Sequence, residues 1–224
     1  MLPKPCGPKG LEVEYKPKPI KGTTTVGIRT SEAVILAADK RATAGSMIVH
    51  KNVVKIIKIS DYMALTTAGL VADAQMLAEL LKNEVKRYEL NYGKRMSVKA
   101  AATFLSNVLF GASRYYPYIV QFLLGGYDTK PRLFSLDWFG TVAEEKFLVT
   151  GSGSPMASGV LEAEYREDME VDEAVRLALK AVYAATQRDT ASGEGIDVAI
   201  ITKEGIKFER HSLNEVKGLT FKIA

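Results

Sequence analysis

The run Gly22-Thr23-Thr24-Thr25-Val26-Gly27-Ile28, followed after a short polar turn by Ala33-Val34-Ile35-Leu36-Ala37-Ala38, is where this chain changes character. Both segments are short, β-branched or apolar, and bounded by turn-forming residues, which predicts strands. The preceding stretch is different. Five of the eight prolines of the 224-residue chain (Pro3, Pro5, Pro8, Pro17 and Pro19) lie within residues 1–22. Proline removes backbone donors and favours extended, solvated chain, so residues 1–22 read as a leader and residues 23–224 as the folded domain.

Outward from Thr23 the β pattern continues through Met47-Ile48-Val49, residues 53–57 and residues 62–67, up to Gly69. Met76, Leu77, Leu80, Leu81, Val85 and Tyr88 then recur at helical spacing. A second helix is expected from Ser97 as its N-cap, burying Val98, Ala101, Ala102, Leu105, Val108 and Leu109. Strands return at 118–124, 132–138 and 146–150, helices at 154–165 and 171–187, and a closing hairpin at 196–202 and 206–210. Paired helices between groups of strands disfavour a single wound parallel sheet. Two sheets covered by helices on their outer faces, an α+β arrangement, fit the order better.

Composition excludes several functions. Apolar residues make up 47% and charged residues 25%, the balance of a globular domain, and no apolar run is long enough to cross a membrane. The N-terminus lacks the apolar core of a secretory signal, so a cytoplasmic protein is expected. The net charge of +4 is no footprint for nucleic acid. Residues 1–22 hold five lysines against two glutamates, whereas the remainder carries 25 basic and 24 acidic residues. Cys6 is the single cysteine and lies in the Pro/Lys-rich leader, which supplies neither a base nor a second thiol. His50 and His211 are the only histidines, and each is read as an ordinary surface or packed residue. A metal site and a serine–histidine hydrolase are therefore both poorly provided for.

Five short motifs carry a resemblance. They are Gly22 to Gly27, Ala37-Ala38-Asp39-Lys40-Arg41-Ala42-Thr43, Thr66-Thr67-Ala68-Gly69, Gly151-Ser152-Gly153-Ser154 and Gln187-Arg188-Asp189-Thr190-Ala191-Ser192-Gly193. In this order and near this spacing, from Thr23 to about Thr202, the chain resembles proteasome β subunits of the archaeal type. The resemblance implies the four-layer αββα sandwich of the N-terminal nucleophile hydrolases and a threonine endopeptidase, a zymogen cut autocatalytically between Gly22 and Thr23. Thr23 would be the nucleophile. Once freed, its α-amino group, with an ordinary pKa of about 7.7–8.0, suits the role of base, so no histidine is needed.

The same resemblance assigns Lys55 beside the nucleophile, Asp39 as its partner, and Arg41 as a support for that pair. It assigns the Gly69 N–H to the oxyanion hole, and Ser152, Asp189 and Ser192 to orienting the Thr23 amine and its water. Asp39 lies 16 residues beyond Thr23 and Lys55 16 beyond Asp39. Three successive antiparallel strands could bring such positions side by side. Ala42, Val53, Ile57, Thr67 and Val71 would line the pocket for the residue before the cut. None is charged, which favours apolar or bulky neutral side chains. Thr43 and Gly69 would pair by main chain with an extended substrate.

No cofactor or metal is implied. The implied partners are homologous β subunits in a seven-membered ring, α subunits outside them, in some cases a second β paralogue, unfolded polypeptide substrates and, indirectly, an ATP-dependent unfoldase. Three alternatives stay open at this point: an unprocessed β-type ring subunit, the simpler bacterial ring peptidase of the superfamily, and a monomeric amidase of the same fold.

Overall fold

The computed structural model describes residues 22–220; the leader expected over 1–22 lies, but for Gly22, outside the described residues. In chain order the strands and helices are β1 (Thr24–Arg29), β2 (Val34–Asp39), β3 (Ala42–Ala44), β4 (Met47–His50), β5 (Ile56–Ser60), β6 (Met63–Gly69), α1 (Val71–Tyr92) and α2 (Val98–Ser113). These are followed by β7 (Val120–Tyr127), β8 (Pro131–Leu136), β9 (Val142–Glu144), β10 (Phe147–Gly151), α3 (Ser154–Glu164), α4 (Val171–Thr186), β11 (Ile196–Thr202), β12 (Gly205–His211) and α5 (Leu213–Thr220). All strand pairs are antiparallel. One five-stranded sheet runs β10-β1-β2-β11-β12, the other β5-β6-β7-β8-β9, and β3-β4 form a separate ribbon.

Every residue of β2 is buried, and the period of two divides them between two cores. Ile35 and Ala37 face α3 and α4 with Val26, Ile28, Leu177, Ala178 and Val182. Val34, Leu36 and Ala38 face the other sheet with Ala64, Leu123, Leu133 and Ala199. A third core lies between the second sheet and α1 and α2, filled by Leu65, Phe122 and Leu124 against Leu77, Leu81, Leu105 and Leu109. The layers are therefore helix, sheet, sheet, helix. Strands with covers on both faces explain the unbroken apolar runs, since no face is left for polar residues. Each large side chain withdrawn from water contributes about 1.5–3 kcal/mol.

Small residues let the sheets approach. A Cβ on Gly27 would lie 2.7 Å from Leu133 Cδ1, and one on Gly125 would lie 2.8 Å from Val34 Cγ1. Polar atoms also cross the gap: Thr66 Oγ1 of β6 donates to Thr25 Oγ1 of β1 at 3.1 Å, and Thr25 shares a 2.6 Å bond with Thr150.

Ser97 caps α2 as the sequence predicts, accepting from Ala100 N at 3.1 Å. Other expectations need correction. α1 is longer than the 76–88 periodicity, and Met76 and Leu80 are exposed. The buried stripe instead uses Ala74, Leu77, Ala78, Leu81 and Val85, whose alanines are weak periodic signals. Val108 is only partly buried against the α2 core. β5 begins at Ile56, so Val53 to Lys55 form its approach rather than its start.

β3 and β9, three residues each, are too short to show a period and were not expected. α5 was missed although Ser212 and Glu215 form a capping box: Glu215 Oε2 accepts from Ser212 N at 2.8 Å, and Ser212 Oγ from Glu215 N at 3.3 Å. Among the described residues no helix is long and apolar enough to cross a membrane.

Gly125→Val should lower stability by about 1–3 kcal/mol, because the added methyls force the sheets apart where neither neighbour can yield. Chemical denaturation of the variant against the parent chain measures it; an unchanged midpoint would contradict the packing described.

Candidate active site

Asp39 ends β2 inside the molecule, with its carboxylate fully buried and all four of its bonds made. Oδ1 accepts from Thr24 N at 2.9 Å and from Lys55 Nζ at 2.8 Å. Oδ2 accepts from Arg41 N at 3.0 Å and from Gly193 N at 2.9 Å. One anion thus ties β1, the residues after β2, the approach to β5 and the loop after α4.

Lys55 does not reach Asp39 along a run of neighbouring strands, as the equal spacing of 16 suggested. β2 pairs with β1 and β11, while Lys55 precedes β5 in the opposite sheet. The ion pair spans the sandwich, so the spacing holds for the first pair only: β1 and β2 are antiparallel neighbours, and their register, with Thr25 opposite Ala38, sets Asp39 beside Thr24. Lys55 is held by its backbone too, because its carbonyl accepts from Thr67 N at 2.9 Å. Burial pushes the ammonium below its ordinary value of 10.5, while the charge and hydrogen bond of Asp39 pull it upward.

A second network meets Thr23 from the other side. Thr23 N donates to Ser152 Oγ at 3.4 Å, and Ser152 Oγ donates to Asp189 Oδ2 at 2.6 Å. Ser192 Oγ donates to the same carboxylate oxygen at 2.6 Å and shares a 2.7 Å bond with Thr24 Oγ1. Asp189 therefore links Thr23 and Thr24 through two hydroxyls. The sequence reading missed Thr24, which looks like one more β-branched residue of a strand; its signal is burial beside Ser192, visible only in three dimensions. Ser152 follows Gly151, whose φ of +92° allows the turn; a Cβ there would lie 2.0 Å from Thr23 O.

Thr23 Oγ1 donates to the carbonyl of Gly22, the residue before it. Gly22 is itself confined: a Cβ on it would lie 2.6 Å from Thr43 Oγ1. Thr23 and Gly22 stand in a groove of about 720 Å³ that Ala42, Thr43, Val53, Lys55, Ile57, Thr67, Gly69 and Val71 also line. All of the substrate-contact candidates meet in that one groove.

The lining is wider than the expected pocket positions. Beyond Val71, α1 contributes Ala74, Gln75, Ala78, Glu79 and Lys82, which adds two charges to that of Lys55. Glu79 and Lys82 pair at 2.6 Å, one turn apart on the helix, a register the pocket-residue reading did not include. Gly69 has φ of +115°, and a Cβ on it would lie 2.2 Å from Ile119 O, so glycine is required there. Neither His50 nor His211 lines the groove, and among the described residues no group of His, Cys, Asp or Glu could hold a metal.

The family model described as "Proteasome subunit" matches residues 20–201, and the chain belongs to the proteasome subunit family. Its relatives lie on the beta side of that family. It is 72% identical to proteasome subunit beta 2 of Ignicoccus hospitalis over 88% of this chain and 92% of that one. To proteasome subunit beta 2 of Hyperthermus butylicus it is 58% identical, over 83% and 87% of the two chains. To proteasome subunit beta of Methanocaldococcus fervens it is 52% identical, over 88% and 89%.

Removing one partner of the buried pair, as in Lys55→Met, should cost about 3–5 kcal/mol near neutral pH, because the buried Asp39 carboxylate loses the partner of its 2.8 Å ion pair. The pH dependence has a definite sign. Between the lowered Lys55 value and 10.5 the unfolded chain binds a proton that the folded chain has released, so this group adds stability as pH rises through that window. Urea midpoints measured at increasing pH below 10.5 should rise in the parent relative to Lys55→Met; parallel curves would show that burial does not lower Lys55.

Proposed function

We propose that this chain is a threonine endopeptidase of the proteasome core, of the N-terminal nucleophile hydrolase type, and that Thr23 is both nucleophile and base after self-cleavage. The observation that carries this reading is that two networks meet at Thr23 and Thr24: the buried pair Asp39–Lys55, through Thr24 N, and the partly buried Ser152–Asp189–Ser192, through Thr23 N and Thr24 Oγ1. Neither contains a histidine, and the amine of a freed Thr23 fills the place a histidine would take.

Residues 1–22 form the propeptide. Thr23 Oγ attacks the Gly22 carbonyl carbon, the C–N bond to Thr23 breaks as the nitrogen takes up the proton, and an ester to Oγ results. Water hydrolyses that ester, releasing Gly22 as a carboxylate and Thr23 with a free amine. Gly22 leaves its carbonyl unhindered, and Thr43 leaves it no room to carry a side chain.

In turnover the Thr23 amine accepts the hydroxyl proton as Oγ attacks the substrate carbonyl. The Gly69 N–H stabilises the oxyanion, and the Lys55 charge favours the deprotonated oxygen. The Thr23 ammonium then protonates the departing amine, and water, activated by the same amine, hydrolyses the acyl ester. Ser152, Asp189 and Ser192 keep that amine and its water in place. Ala42, Val53, Ile57, Thr67 and Val71 take the side chain before the cut, while Thr43 and Gly69 hold the substrate backbone.

The chain acts in a seven-membered β ring flanked by α subunits, in the cytoplasm, on unfolded polypeptides delivered by an ATP-dependent unfoldase. A second β paralogue in the ring is compatible with this site. The chemistry calls on no cofactor.

Coexpression with proteasome α subunits, followed by mass spectrometry, tests the reading. The parent chain should lose residues 1–22, and Thr23→Ala should retain them and lose peptidase activity by at least about 1,000-fold. Gly22→Ala should process more slowly, since its methyl meets Thr43. Full-length chains in assembled particles that lack activity would count against this subunit acting alone.

A further inference from the structure

Among the described residues Glu194 is the one non-glycine residue with positive φ, at 72°, in the run Ser192-Gly193-Glu194-Gly195. A third glycine would adopt that conformation without strain, so the glutamate side chain must be held by something that outweighs it. Its Oε1 accepts from Arg41 Nη2 at 3.0 Å, with both side chains mostly buried. Arg41 Nη1 donates to Thr190 O at 2.8 Å. Between these two contacts the guanidinium lies flat over Gly193, where a Cβ would stand 2.5 Å from Nη2 and 2.6 Å from Cζ. Arg41 Nε is buried there without a hydrogen-bond partner among the described residues, so the guanidinium gives up a donor to lie in this position.

The clasped segment carries contacts for both networks at Thr23. Gly193 N donates to Asp39 Oδ2, and Lys40 N donates back to Gly193 O at 3.0 Å. The neighbouring Ser192 is fully buried and bonds both Asp189 and Thr24 Oγ1. Arg41 also donates its own N–H to Asp39 Oδ2. Asp39, Arg41, Glu194 and Gly193 thus close a ring in which the outermost link is the Arg41–Glu194 pair.

We infer that Glu194 is a positioning residue for the peptidase reaction: with Arg41 it clamps the segment 190–194 against Asp39 and so sets Ser192 and the Asp39 carboxylate relative to Thr23. Glu194 touches neither Thr23 nor the groove, and the inference rests on the Thr23 reading above. It also changes the part given to Arg41, whose side chain supports the segment rather than Lys55.

The test uses the full-length chain coassembled with proteasome α subunits, comparing Glu194→Ala, Glu194→Gly and Glu194→Gln with the parent and with Thr23→Ala. Alanine and glycine should each lower kcat by about tenfold or more, with KM within about twofold, because a displaced segment misplaces reacting groups and leaves the groove intact. Release of residues 1–22 should slow in parallel. Glutamine keeps an oxygen for Arg41 Nη2 and should recover part of kcat; being nearly isosteric, it also keeps the test open if the alanine chain fails to assemble. Parental kcat in the glycine or alanine variant would overturn the inference, as would a loss confined to KM or one abolished by assaying well below the melting temperature. Activity surviving in Thr23→Ala would instead overturn the Thr23 reading, whatever Glu194 does.

Discussion

The arrangement around Thr23 depends on the burial of one carboxylate. Asp39 cannot sit inside this sandwich as an anion unless its oxygens are fully bonded. The four donors that satisfy it come from four separate parts of the chain: Thr24, Arg41, Lys55 and Gly193. Satisfying the charge and assembling the site are therefore the same event. A buried ion pair is a poor source of net stability, because desolvation offsets most of the attraction. Its worth here lies in geometry: any displacement of these four segments leaves a charge or a backbone donor unpaired. Hydrophobic contact alone tolerates small shifts between sheets, and this carboxylate does not.

That constraint explains why the packing near it uses small residues. Lys55 crosses from the second sheet to an acid in the first, and its stem is short compared with the usual separation of about 10 Å between packed sheets. Ala38 and Ala64, with the glycines at 27 and 125, make the middle of the sandwich thin. The Thr66–Thr25–Thr150 hydroxyl chain replaces apolar contact at one point by hydrogen bonds of fixed length. Those bonds set how the sheets lie over each other close to Thr24, the first residue of β1.

Much of the layer order was legible in the sequence because apolar runs in β1, β2 and β7 report cover on both faces, and α2 and α4 carry strong helical signals. What escaped has particular causes. Three-residue strands have no period to detect, and α1 buries alanines, which periodicity undervalues. The candidate residues could be gathered from motifs, yet their connections could not. The spacing of Thr23 and Asp39 matches neighbouring strands, β1 and β2, whereas the contact of Asp39 with Lys55 crosses between sheets. Spacing along a chain constrains partners within one sheet, where register counts residues. It says nothing about partners facing each other across a core. Thr24 and Glu194 were missed for the same reason, since their contacts lie 168 and 153 residues away in sequence.

The charged lining of the groove shows the limit of reading a pocket from its walls. Ala42, Val53, Ile57 and Thr67 lie on strands and their approaches, Val71 opens α1, and together they give a neutral lining. The same helix adds Ala74, Gln75, Ala78, Glu79 and Lys82. Glu79 and Lys82 pair with each other, and Lys55 pairs with Asp39, so the charges on the lining are already matched. The lining thus mixes apolar residues with Thr43, Thr67 and Gln75 and with charges that are already paired, a balance that the five expected positions taken alone do not report. A neutral wall and a matched charge are alike in offering no lone charge, and here the second comes from pairing side chains within the chain rather than from leaving charged residues out.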